Sequence, residues 1–169
     1  FFYYKGEYIE QDINKSIYYF KLAANQNHPD AQFNLGKIYY EGKYISRDIN
    51  KSIHYYSLAA NQNDQEAQNA LGYIYYEGQH IKRDINKSIY YFSLAANQNY
   101  PIAQYMFGKI YYDGEYIEQD TNKSIHYFTL AANQNYPNAQ FMLGIIYYEG
   151  KYIKRDINKS IYYFSLAAN

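Results

Sequence analysis

Four histidines, five repeated Asp–Lys pairs and a row of aromatic rings are the side chains whose type and spacing could do chemistry in this sequence. His28, His54, His80 and His126 are the full complement of histidine, and cysteine is absent. A zinc site gathers three or four His, Cys or carboxylate ligands at one point. His54 and His126 instead occupy equivalent places in a repeated phrase, where Tyr18, Tyr90 and Tyr162 stand in the other copies. A place that takes Tyr or His alike reads as exposed surface, so no metal site is expected. Asp48 and Lys51, like their copies, lie one helical turn apart and read as a helix cap beside a solvated charge. Acid–base catalysis would need two carboxylates in unlike environments, and identical copies offer like ones. No Gly-rich phosphate loop and no nucleophile motif appears. The expectation is a chain with no catalytic residue and no cofactor.

The elements that carry these residues follow from repetition. "DINKSIYYFSLAAN" fills residues 84–97 and again 156–169, with near copies at 12–25, 48–61 and 120–133. Gly6, Gly42, Gly78, Gly114 and Gly150 keep the same step, as do the "AQ" dipeptides at Ala31, Ala67, Ala103 and Ala139. A fixed period of this size marks a stack of like supersecondary units, each too small to bury its apolar face alone. Five units are read: 1–30 (partial), 31–66, 67–102, 103–138 and 139–169 (partial), together one array and expected to be an excerpt of a longer chain.

Within a unit, Pro29 suits the first position of a helix. Ala31, Leu35 and Tyr39 then share one face, and Gly42 is a left-handed stop. Asp48 caps a second helix, in which Ile49, Ile53, Tyr56, Ala59 and Ala60 form another stripe. Asn63 takes a left-handed exit. Gly36 and the Ala59–Ala60 pair allow two helices to approach closely. The predicted fold class is all-α, helix–turn–helix units with a 36-residue period.

Sixteen basic and sixteen acidic residues cancel, which argues against a nucleic-acid partner. No apolar run reaches the roughly 18 residues a spanning helix needs, so no membrane partner is expected. The lack of cysteine fits a reducing compartment, and a cytoplasmic setting is the weak expectation. "NKS" at Asn14, Asn50, Asn86, Asn122 and Asn158 matches a glycosylation acceptor, but each falls in the first turn of a predicted helix.

"AQFNLGKIYYEGKYISRDINKSIHYYSLAA" closely resembles the Sel-1-like repeat, a relative of the tetratricopeptide repeat. Ala31, Leu35, Gly36, Tyr39, Gly42, Asp48, Lys51, Tyr56, Ala59 and Ala60 fall on the family's pattern. Tyr44 replaces a loop glycine, with Tyr8, His80, Tyr116 and Tyr152 in the other copies. Ile45, Ser52 and Tyr55 stand for Val, Ala and Trp. The resemblance implies a right-handed α–α superhelix (a solenoid) serving as an adaptor between proteins, in cytosolic, periplasmic or endoplasmic-reticulum settings.

The candidate binding surface is the outer stripe of the first helices. It comprises Phe33, Lys37 and Tyr40; Asn69, Tyr73 and Tyr76; Tyr105, Lys109 and Tyr112; and Phe141, Ile145 and Tyr148. Tyrosine suits recognition because it is large, rigid and polar at its tip. Some of these rings could equally pack as core. The loop pairs Glu10–Gln11, Ser46–Arg47, Lys82–Arg83, Glu118–Gln119 and Lys154–Arg155 band one edge in charge, in the order acidic, basic, basic, acidic, basic. The leading expectation is a scaffold that binds a segment of another protein on a concave face. An accessory region of a larger enzyme such as a protein kinase is the alternative, and end-to-end self-association of the excerpt is a further expectation.

Overall fold

A computed structural model describes residues 13–168, so Gly6, Tyr8, Glu10, Gln11 and Asp12 lie outside the described part. The described residues form nine helices and no strand. The chain divides into two bodies, Phe1–Asp84 and Ile85–Asn169. The N-terminal body holds α1 (Ile13–Asn25), α2 (Pro29–Glu41), α3 (Ile49–Ala60) and α4 (Gln65–Glu77). The C-terminal body holds α5 (Ile85–Asn97), α6 (Pro101–Asp113), α7 (Thr121–Ala132), α8 (Pro137–Glu149) and α9 (Ile157–Ala167).

Helix boundaries are set by a few residues. Pro29, Pro101 and Pro137 begin α2, α6 and α8. The equivalent helix α4 has no proline and is started by Asp64, whose carboxylate accepts the Ala67 N–H at 2.7 Å. Asp48, Asp120 and Asp156 cap α3, α7 and α9 by accepting from Lys51, Lys123 and Lys159 backbone N–H at 3.0, 2.9 and 3.0 Å. That backbone bond, joined by the lysine ammonium, holds the Asp48 carboxyl below the ordinary range. Gly42 ends α2 at φ 64°, where an L side chain is disfavoured. Asparagine does the same after the second helices: Asn27, Asn63, Asn99 and Asn135 all have φ between 60° and 64°. Asn is among the non-glycine residues that enter this region most readily. Around Asn63 the Asp64 N–H returns to the Ala59 carbonyl at 3.2 Å, the closing bond of a Schellman motif.

Tyr44 does not disturb its loop, because the Asp48 N–H bonds back to the Tyr39 carbonyl at 3.0 Å and fixes the span. The same bond recurs from Asp120 to Tyr111 and from Asp156 to Tyr147.

In the N-terminal body Ile17, Phe20 and Ala24 of α1 meet Ala31, Leu35, Ile38 and Tyr39 of α2 in a core cluster. In the C-terminal body Phe128, Ala131 and Ala132 of α7 meet Ala139, Leu143 and Ile146 of α8. Of the stripe read on the second helix, Tyr56, Ala59 and Ala60 are buried, while Ile49 and Ile53 are half-buried. Gly36 is needed where α2 crosses α3: a Cβ there would stand 2.5 Å from Tyr56 Cδ1.

Two polar features complete the core. Gln32, Gln68, Gln104 and Gln140 are fully or almost fully buried. Each side-chain amide donates to a carbonyl at the end of the preceding helix, namely Ala24, Ala60, Ala96 and Ala132, at 3.1–3.3 Å. Each of these carbonyls also accepts the backbone N–H of the asparagine three places on, at 2.9–3.0 Å, so the glutamine supplies a second donor at the helix end and ties a helix pair to its predecessor. Gln62 and Gln134 extend the tie by donating to Gln32 and Gln104 at 2.7 and 2.8 Å. The second feature is a ring beneath Lys51, whose charge stays exposed to solvent as the sequence implies. Its ammonium lies 3.0 Å from Asp48 and also 5.4 Å above the Tyr39 ring, which stacks on Tyr55 within 3° of parallel. Lys123 with Tyr111 and Tyr127, and Lys159 with Tyr147 and Tyr163, repeat the column. Attraction of the cation to the ring face explains why the lysine folds back.

Candidate binding face

The outer stripe divides by position. Its first residues lean on the neighbouring helix: Phe33 contacts the Tyr56 ring at 5.6 Å, Tyr105 contacts Phe128 at 5.7 Å and Tyr136 at 5.4 Å, and Phe141 contacts Phe164 at 5.5 Å. Phe33 and Tyr105 are half-buried, whereas Phe141 remains 51% exposed. These rings therefore serve packing as well as surface.

The middle residues set charge. Lys37 pairs with Glu41 one turn on, at 3.8 Å. Lys109 favours the ionised form of Asp113, but burial outweighs it and raises that carboxyl's pKa. Tyr73 and Ile145 take the lysine's place in the other two copies, both half-buried.

The last residues are tyrosines throughout, with unlike surroundings. Tyr40 and Tyr73 line a cavity of about 280 Å³ with Tyr56, Asn69, Ala70, Ile74 and Glu77. Burial and then the Glu77 charge push the Tyr40 phenol up, and Arg47 opposes them. Tyr76 is half-buried. Tyr112 donates to Glu149 Oε2 at 3.4 Å, and burial followed by that carboxylate raises its pKa. Tyr148 is exposed beneath the Arg155 guanidinium, 5.0 Å from its ring centre.

The four histidines are all exposed, and among the described residues no three His, Asp or Glu side chains are grouped to hold a metal ion. The sequon asparagines are exposed, but the serine two places on is buried in every copy. No helix among the described residues is long and apolar enough to cross a membrane. Sequence reasoning missed Tyr56 and Glu77 as cavity residues. Tyr56 read as pure core, and Glu77 carried no pattern of its own.

No curated protein sequence matches the chain significantly. Solved structures do. A Sel1 repeat protein from Oxalobacter formigenes is 34% identical with a TM-score of 0.90, covering 99% of this chain and 68% of its own. c5321, a protective antigen present in uropathogenic Escherichia coli strains and displaying an SLR fold, is 29% identical with a TM-score of 0.92. That match covers 99% of this chain but 36% of the antigen, so the chain spans little more than a third of its length. Helicobacter pylori cysteine rich protein B shares the fold at 24% identity, with a TM-score of 0.56 over 75% of this chain and 91% of its own. The sequence model of the Sel1 repeat matches residues 1–28, 29–64, 65–100, 101–136 and 137–169 in turn. With all-helical solenoids as its structural neighbours and that repeat along its whole length, the chain belongs to the Sel1 repeat family.

Proposed function

We propose that the chain is a non-catalytic scaffold that holds an extended segment of another protein against the outer stripe of its first helices. Sel1 repeat proteins are in general protein-interaction scaffolds and not catalysts. The observation that carries the finer reading is the contrast between a constant interior and a varied outer face. The buried Ala, Gln, Ser and Gly positions repeat copy after copy, while positions 33, 69, 105 and 141 read Phe, Asn, Tyr and Phe. Tyr40, Tyr76, Tyr112 and Tyr148 keep an amphipathic ring in every copy, of the kind that carries binding energy at interfaces. The proposed binding residues are Phe33, Lys37, Tyr40, Tyr73 and Tyr76 in the N-terminal body and Tyr105, Lys109, Tyr112, Phe141, Ile145 and Tyr148 in the C-terminal body. Balanced charge favours a protein over a nucleic acid as the occupant.

The test compares capture of partner proteins by the chain and by its Tyr40→Ser/Tyr76→Ser/Tyr112→Ser variant. Loss of about ten-fold or more in capture, with helical circular dichroism retained, is expected when interface tyrosines are removed. Equal capture by both proteins sinks the stripe. Loss of helicity would show that the tyrosines hold the fold together and not a partner.

A further inference from the structure

Four departures from the repeat meet at one place in the N-terminal body. Tyr56 stands where every other copy has Phe, and Asn69 where the others have Phe or Tyr. Ala70 stands where the others have Asn or Met, and Tyr73 where they have Lys or Ile. Drift would scatter such changes, yet all four side chains line the same cavity, closed by Tyr40 and Glu77.

Each departure has a physical consequence. Shrinking positions 69 and 70 opens the space, and tyrosines at 56 and 73 give it aromatic walls with polar tips. Exchanging lysine for Tyr73 deprives Glu77 of the pairing that Lys37 gives Glu41 at 3.8 Å. Asn69, Tyr73 and Glu77 are successive i, i+4 neighbours and present one face. The Asn69 Oδ1 atom is buried and accepts no hydrogen bond, which is an unmet demand for a donor. The basic group nearest in effect, Arg47, is engaged elsewhere. Its Nη1 lies 3.1 Å from the His80 ring nitrogen, and its Nη2 donates to the Glu41 carbonyl at 3.4 Å. The field is acidic, since Glu41 and Glu66 act on Tyr56 and Glu77 acts on Tyr40, after burial in both cases.

We propose that this cavity receives an arginine side chain of the bound protein segment, its guanidinium lying against the Tyr40 and Tyr73 rings and donating to Glu77 and Asn69 Oδ1. A guanidinium is planar, weakly hydrated and rich in donors, so it can stack on rings and serve two acceptors together. Lysine offers a compact, strongly hydrated ammonium and cannot stack in this way. At about 280 Å³ the space lies at the small end of ligand pockets, which suits one side chain. The assignment rests on the scaffold reading and adds to it the residue that the partner must supply.

The test is an NMR titration of the isotope-labelled chain with N-acetyl-L-arginine methylamide, beside the matching citrulline compound, which keeps the shape and lacks the charge. The arginine probe should move the resonances of Tyr40, Asn69 and Tyr73. The citrulline probe should bind about ten-fold more weakly, because a charge-assisted hydrogen bond is lost. Glu77→Gln should weaken the arginine probe by a similar factor. Asn69→Phe, which installs the residue native at positions 33 and 141, should abolish binding while the fold is kept. Absence of shifts with the arginine probe, equal response to citrulline, or shifts that survive Asn69→Phe would each overturn the proposal. Partner capture that persists in Glu77→Gln but fails in the triple tyrosine variant would reject the arginine pocket and leave the scaffold standing.

Discussion

The cavity beside Tyr40 and the equivalent place beside Tyr112 are built on one backbone plan, and they end in opposite states. In the N-terminal body Asn69 and Tyr73 leave an open, aromatic-walled space with a buried acceptor unmet. In the C-terminal body Phe141 and Ile145 stand in their places, Phe141 lies against Phe164, and Tyr112 donates to Glu149. Both bodies keep the same buried glutamine, the same capping aspartate and the same glycine at the helix crossing. The scaffold and the surface are thus separate layers of one sequence. Interior positions are fixed by the neighbour each must meet, and a few outer positions decide whether a ring is covered or available.

The largest effects should come from the shared layer, and they should be alike in the two bodies. Leu71 and Leu143 are both fully buried, so Leu71→Ala and Leu143→Ala should each cost roughly 2–5 kcal/mol in denaturant unfolding. A Leu143→Ala cost well below that of Leu71→Ala would break the claim of one common scaffold.

An exchange between the two places should have a smaller effect, of opposite sign in each direction. Asn69→Phe fills the cavity and removes the orphan acceptor, and should raise stability by about 0.5–2 kcal/mol. Phe141→Asn removes a ring packed on Phe164 and should lower the melting temperature. Destabilisation by Asn69→Phe would show that the open state is the better packed one.

The smallest effect is a difference in alkali tolerance. Tyr56 occupies the position of Phe128, and burial, then Glu41, Tyr40 and Glu66, holds its phenol well above the ordinary value. The folded chain therefore keeps a proton that the unfolded chain releases near pH 10. Tyr56 favours folding fully below about pH 10, and its contribution fades as pH rises beyond that. Tyr56→Phe should flatten the loss of stability measured above that pH, and Phe128→Tyr should steepen it. An unchanged slope in both variants would remove the distinction.

Much of the repeat was legible because local chemistry and the period agree. Gly42, Asp48 and Asn63 act within a few residues of where they stand, so their roles follow from propensity. Gln32 was visible as a landmark but not as a clamp, since a polar residue beside an alanine gives no local sign of burial. Its meaning lies in the Ala24 carbonyl, on another helix. The stacked Tyr39 and Tyr55 are likewise joined across the crossing of α2 and α3, which helical periodicity in either segment does not reveal. The outer stripe was legible as a stripe, yet whether Phe33 is covered or Tyr40 lines a space depends on residues of neighbouring helices. The cavity became visible once long-range neighbours were known, although comparing the copies at positions 56, 69, 70 and 73 would have flagged it.

The glutamine clamp also bears on how the chain answers force. Gln32, Gln68, Gln104 and Gln140 fasten successive helix pairs with like bonds of like length, and Gln62 and Gln134 add a second bond at Gln32 and Gln104. A helix pair pulled loose frees one 36-residue period, which is about 120 Å of extended chain. Within each body, helix pairs should therefore let go one period at a time when the chain is pulled.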